Sequence, residues 1–196
     1  MDSSNSAKKI VIFASGQGSN AKNIIYHFKD RNDVKIAHVM SNNIRANVLK
    51  MAHEHEISSL YFDRIALYNS NEVLHLLKDA QPDLIVLAGF LWMMPENILN
   101  EFEGKIINIH PALLPKYGGK GMYGNYVHEA VLENEEKESG ITIHWVNENY
   151  DEGKTIAQFK VDVHPSDSVK TLREKIQQLE KKHFPKVIDQ ILFKES

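Results

Sequence analysis

The chain of 196 residues is 42% hydrophobic and 25% charged, a composition that suits one globular domain with a core of its own. Its net charge of −3, from 23 basic and 26 acidic side chains, is the wrong balance for a nucleic-acid binder. Cysteine is absent, which excludes disulfides, thiolate zinc sites, iron–sulfur clusters and a cysteine nucleophile.

Residues 1–7 read as a frayed, disordered tail and 8–196 as a single domain. The apolar run after the tail, Ile10 to Ala14, is too short for a signal peptide or a bilayer span, so a cytoplasmic protein without a membrane partner is expected. Lys9 to Ala14 has the continuous apolar character of a strand buried on both faces. A helix from Ser19 to Phe28, a strand from Val34 to Met40, a helix over Ala46 to His55 and a strand from Ser59 to Phe62 follow. Next come a helix over Asn71 to Ala80, the strand Leu84 to Ala88, a helix from Pro95 to Phe102 and the strand Lys105 to His110. Alternation of this kind predicts an open, doubly wound, mostly parallel α/β sheet.

Pro111 to Gly124 carries glycines and prolines without a helical period and reads as a long functional loop. Tyr126 to Asn134 looks helical. Ile141, Ile143 and Trp145 alternate with Thr142, His144 and Val146, the period of a strand with two distinct faces. With Thr155 to Val163 it makes an antiparallel hairpin across the loop Asn147 to Lys154. A final long helix runs from Ser168 to Phe184, with Pro185 expected to break or restart it. Its lysines, from Lys170 to Lys186, read as a solvated face.

Three places could carry chemistry. Ser15-Gly16-Gln17-Gly18-Ser19-Asn20 sits between the first strand and first helix, where glycines allow a tight turn and free N–H groups receive an anion. It lacks the Gly-Lys-Ser/Thr ending of a nucleoside-triphosphate loop, and Met40-Ser41-Asn42-Asn43 stands where a dinucleotide site expects an acid. The remaining readings are one phosphate monoester held by Gly18, Ser19 and Asn20, or a purely structural turn. Asn108 and His110, two apart at a strand end, project together and offer an amide donor and a proton-transfer group. His110 could equally cap its own loop. Asp151, in Tyr150-Asp151-Glu152-Gly153, is either a solvated turn residue or part of a turn folded back over His110. Leu91-Trp92-Met93-Met94 is either an apolar ligand slot or core. His53 and His55 diverge on a helix, so no metal site is expected there.

Together, Ser15 to Asn20, Leu87 to Phe90, Asn108 to Tyr117 and Tyr150 to Gly153 resemble the folate-dependent formyltransferases, over residues 8–193. The Asn108 to Tyr117 block is specific to that family, and Ser15 to Asn20 selects the branch whose acceptor carries a ribose phosphate. The resemblance implies a Rossmann-like fold with a phosphate-binding half over 8–100 and a folate-binding, catalytic half over 101–196. It also implies transfer of the formyl group of 10-formyltetrahydrofolate, a co-substrate, to the glycyl amine of 5-phosphoribosylglycinamide in purine biosynthesis, without a metal. Asn108 and His110 would be oxyanion donors, and Asp151 would orient and charge-stabilise His110 and hold a water. Gly18, Ser19 and Asn20 would bind phosphate, while Gln177 and Glu180 would meet the rest of the ribonucleotide. The folate would lie against Leu91, Trp92, Met93, Met94 and Asn108, beside the hairpin turn. Small molecules would be the only ligands of a monomer or homodimer, with no nucleic acid. Two departures limit the transfer. Trp92 stands where many members carry a basic residue, and the stretch 118–125 is longer than in the shortest members, so Tyr123, Tyr126 and His128 receive no role. The rival readings are a formyltetrahydrofolate hydrolase, in which water is the acceptor, and a nucleotide-binding regulator without catalysis. A methionyl-tRNA formyltransferase would need a further tRNA-binding domain.

Overall fold

Apolar runs that alternate with amphipathic stretches become a sheet covered by helices. The structure, a computed structural model, describes residues 6–194, so most of the expected tail, residues 1–5, lies outside the described residues. The chain divides into two compact units, Met1–Ile106 with Leu192–Ser196, and Ile107–Ile191. Among the described residues seven strands take the order β3 (Ser58–Tyr61), β2 (Val34–Ser41), β1 (Lys8–Phe13), β4 (Leu84–Leu87), β5 (Ile106–His110), β6 (Glu138–Trp145) and β7 (Thr155–Asp162) in a mixed sheet, mostly parallel with an antiparallel end, in the expected α/β class.

In the first unit β1 (Lys8–Phe13) pairs in parallel with β2 (Val34–Ser41) and β4 (Leu84–Leu87), and β2 pairs in parallel with β3 (Ser58–Tyr61). Ile10, Val11, Ile12 and Phe13 are all fully buried, which is why this strand is apolar throughout rather than alternating. The helices α1 (Ser19–Phe28), α2 (Asn47–Glu54), α4 (Glu72–Ala80) and α5 (Glu96–Glu101) fall where the apolar period places them. On α1 the buried residues Ala21, Ile24, Ile25 and Phe28 recur at the spacing of one helix face. A fifth helix, α3 (Arg64–Tyr68), was not expected. It is too short to show a period, and its one signal is Asp63, whose side chain accepts the Ala66 N–H at 2.9 Å as an N-cap.

The chain enters the second unit along β5 (Ile106–His110), which pairs antiparallel with β6 (Glu138–Trp145), itself antiparallel to β7 (Thr155–Asp162). The β6 strand begins earlier than the alternating run at Ile141, and at Gly140 a Cβ would fall into the Phe159 carbonyl of β7. Between β5 and α6 (Asn125–Glu133) there is no regular element, as expected for a long loop. The expectation of a break at Pro185 is corrected: α7 runs unbroken from Val169 to Leu192. Proline removes one helix hydrogen bond, at about 3 kcal/mol. Phe184, Pro185, Val187 and Ile188 are all buried, so tertiary packing outweighs that local cost. Among the described residues no helix is long and apolar enough to cross a membrane.

Candidate active site

The antiparallel register sets Asn108 opposite His144 and His110 opposite Thr142. Side chains at every second residue share a face, so Asn108, His110, Thr142 and His144 form one polar patch on two neighbouring strands. The β6–β7 turn brings Asp151 onto it. Asp151 takes a left-handed backbone, φ 57°, and the turn closes at Gly153, where a Cβ would run into the Trp145 carbonyl. The Gly119 N–H donates to Asp151 Oδ2 at 2.9 Å, tying the long loop to the turn.

Within this cluster the proton positions follow from partners that can only accept. His144 Nδ1 stands 2.9 Å from the Trp145 carbonyl, so it carries the proton and leaves Nε2 as an acceptor. Asn108 Nδ2 donates to that Nε2 at 3.1 Å and to Asp151 Oδ1 at 3.5 Å, which fixes the orientation of the amide. His110 Nε2 stands 2.7 Å from the Tyr117 carbonyl and therefore carries a proton as well. Its Nδ1 faces Asp151 Oδ2 at 3.4 Å. Both nitrogens of His110 thus look at acceptors, an environment that an imidazolium would satisfy completely.

Burial works against that charge. With only 4% of its side chain exposed, His110 is pulled below the ordinary imidazole pKa by desolvation, against the opposing pull of Asp151 and the Tyr117 carbonyl, while His144 adds to the lowering. Burial alone would raise the Asp151 carboxyl, but the neighbouring His144 and His110 rings and the Gly119 N–H together hold it below the usual carboxylate range. His144 Nε2 lies 3.6 Å from Asp151 Oδ1. The resting cluster is a carboxylate beside a neutral imidazole that is ready to become cationic when negative charge develops nearby.

In the first unit, the turn after β1 delivers Gly18 at φ 78° as the residue before α1, and a Cβ there would stand 2.5 Å from Val48 Cγ2. Among the described residues no side chain caps α1, and no acid lies in its first turn, so the helix presents N–H groups and a positive dipole end. Ser19 is exposed and Asn20 buried. Leu91 and Met93 are 49% and 37% exposed, Trp92 is half-buried and Met94 is turned into the core. Trp92 lies under the Arg64 guanidinium at 4.5 Å and edge-on to Phe62 at 6.3 Å. On α7 of the second unit Gln177 is exposed and Glu180 half-buried, three residues apart and so on one side of the helix.

Of the residues singled out in the sequence, Asn108, His110 and Asp151 are therefore brought into one cluster. Gly18, Ser19 and Asn20 open α1, and Leu91 to Met94 form a partly exposed segment of the same unit. Sequence reasoning missed His144 and the Tyr117 carbonyl. The signal for His144 was its place on one face of β6 with Thr142; a backbone carbonyl leaves no such signal. Among the described residues no group of three or more His, Asp or Glu could hold a metal ion.

The formyl transferase family model matches residues 8–188. The phosphoribosylglycinamide formyltransferase of Bacillus subtilis (strain 168) is 34% identical over 190 residues, covering 94% of this chain and 95% of that one. The Escherichia coli (strain K12) protein of the same name is 34% identical over 186 residues, 91% of this chain and 84% of that one. The crystal structure of phosphoribosylglycinamide formyltransferase from Bacillus halodurans superposes with a TM-score of 0.85 at 35% identity, covering 95% of this chain and 96% of that one. The geometry, the family model and these relatives agree: the chain belongs to the formyl transferase family, beside the phosphoribosylglycinamide formyltransferases.

Proposed function

We propose that this enzyme transfers the formyl group of 10-formyltetrahydrofolate to the glycyl amine of 5-phosphoribosylglycinamide. The observation that carries the reading is the pairing of His110 and Asp151. The amine is its own nucleophile, so the protein has to hold two substrates, stabilise a tetrahedral oxyanion and guide a proton, and it needs no serine or cysteine nucleophile.

Attack of the amine on the formyl carbon puts negative charge on the formyl oxygen. His110 Nε2–H and the Asn108 amide are the donors for it. In the resting structure these donors are engaged, His110 with the Tyr117 carbonyl at 2.7 Å and Asn108 with His144 Nε2 at 3.1 Å and Asp151 at 3.5 Å. Exchanging a neutral carbonyl for a developing oxyanion strengthens the bond only as charge appears, which is the differential binding that lowers a barrier. As the oxyanion forms, the attacking amine sheds one proton, which His110 Nδ1 takes up, and Asp151 at 3.4 Å stabilises the resulting imidazolium. When the C–N bond to the folate breaks, His110 gives that same proton up through a water held by Asp151 to the departing folate nitrogen, and returns to its neutral state.

The first turn of α1 receives the acceptor's phosphate on the N–H groups of Gly18, Ser19 and Asn20. Gln177 and Glu180 meet its ribose and glycinamide. Leu91, Trp92 and Met93 receive the folate, with Met94 backing them from the core and Arg64 holding a cation over Trp92. Both ligands are small molecules, and the setting for this chemistry is the cytoplasm.

An absorbance assay for tetrahydrofolate, run with and without phosphoribosylglycinamide, tests the reading. Product should form only with the acceptor present. Equal turnover in its absence would move the enzyme to the hydrolases.

A further inference from the structure

Ser15 belongs to neither substrate segment and ties three of the loops that follow β1, β2 and β4. It is 8% exposed and lies two residues beyond the end of β1. Its Oγ donates to Asn42 Oδ1 at 2.7 Å and accepts the Leu91 N–H at 3.0 Å. Its own N–H donates to the Gly89 carbonyl at 3.0 Å, and its carbonyl accepts from Asn43 Nδ2 at 3.5 Å. Gly89, at φ 78°, turns the chain between these two contacts. As a result the backbone of Leu91 is pinned while its side chain stays 49% exposed. On the other side of Ser15, the Gly16 carbonyl accepts the Val48 N–H at 3.2 Å, and Gly18 packs against Val48 with no room for a Cβ. The turn that opens α1 is thereby clamped against Val48 of α2, and Ser15 is the residue directly before it.

We propose that Ser15 is a positioning residue that couples the acceptor's phosphate loop to the folate segment, so that each substrate tightens the binding of the other. The inference rests on the assignment of Gly18 to Asn20 and Leu91 to Met93 made above. A single hydroxyl that donates to one loop and accepts from another is polarised by both, so strengthening one bond strengthens its neighbour. Ordering of the turn by a bound phosphate fixes Ser15, Ser15 fixes the Leu91 N–H, and the apolar segment is held ready for the pterin. Linkage makes the effect reciprocal, and coupling of this kind is typically on the order of 5- to 150-fold.

The test uses the whole enzyme with phosphoribosylglycinamide and tetrahydrofolate, a pair that lacks the formyl group and does not react. Calorimetric titration gives the acceptor Kd with and without saturating tetrahydrofolate. For the native enzyme the acceptor should bind about fivefold tighter or more with tetrahydrofolate present. In Ser15→Ala this ratio should fall to about one, because the hydroxyl that carries the coupling is gone. Asn42→Ala, which removes the same bond from its other end, should lower the ratio too and carries the test if Ser15→Ala does not fold. A merely structural role would lower the melting temperature or weaken both ligands and leave the ratio intact. A native ratio near one, or a native-like ratio in both variants, overturns the proposal. Gly18→Ala and Leu91→Ala report separately on the assignment beneath it. If the first leaves acceptor binding and the second leaves tetrahydrofolate binding unchanged, the assignment itself has failed.

Discussion

In the proposed mechanism His110 and Asp151 act as one group, because the imidazolium is worth stabilising only while the carboxylate is charged and in place. His110→Ala and Asp151→Asn should each lower turnover by about a hundredfold or more, the usual cost of an oxyanion donor, with little loss of thermal stability. The double variant should be close to the worse single one, since groups that work together fail together. A double variant showing the product of the two defects would mean that they work independently. His128, 3% exposed on α6, gives a second residue-scale prediction. Burial first, then the charges of Arg173 and His110, pull its pKa down to about 4 from 6.5. The unfolded chain therefore binds the extra proton in this window. The stability that neutral His128 contributes is complete above the ordinary imidazole value and is lost as the pH falls toward 4. Urea midpoints measured between pH 7 and 4.5 should fall, and His128→Leu should flatten that fall by about 2 kcal/mol, after allowance for residual solvation. An unchanged slope would remove His128 as its source.

In the proposed function the N-terminus of α1 is an element that binds the acceptor's phosphate through its backbone. An aspartate in an uncapped first turn favours the helix by roughly 0.3–1 kcal/mol but repels a phosphate and occupies the N–H groups meant for it. Ser19→Asp should thus keep or raise the melting temperature while weakening the acceptor about tenfold or more, and folate binding should change far less. Unchanged acceptor affinity by titration would take this turn out of the site. The same turn was legible in the sequence, since an apolar run, two glycines and a helical period are local signals. The Asn108 and His110 pair was legible as well, from a spacing of two at a strand end. Asp151 was legible only through resemblance, because no spacing rule brings a hairpin turn back over a strand 40 residues earlier. His144 needed the β5–β6 register, and α3 is too short for a period. Pro185 was misread because a local rule was applied where the burial of Phe184 and Ile188 decides.

At the scale of the whole molecule, the proposed division of labour follows from chemistry that needs no covalent bond between enzyme and substrate. One unit offers an uncapped helix end and a partly exposed apolar segment; the other holds a buried carboxylate beside an imidazole whose two nitrogens face acceptors. Such a molecule binds, orients and stabilises charge, and the reacting nucleophile arrives with the substrate. The claim is most directly tested by following the carbon itself. The enzyme is supplied with 10-formyltetrahydrofolate labelled with 13C at the formyl group, together with phosphoribosylglycinamide, and the label is located by NMR. The account predicts that the label appears in the formamide of the glycinamide product in step with tetrahydrofolate. Label released as free formate, at a rate indifferent to the acceptor, would contradict it.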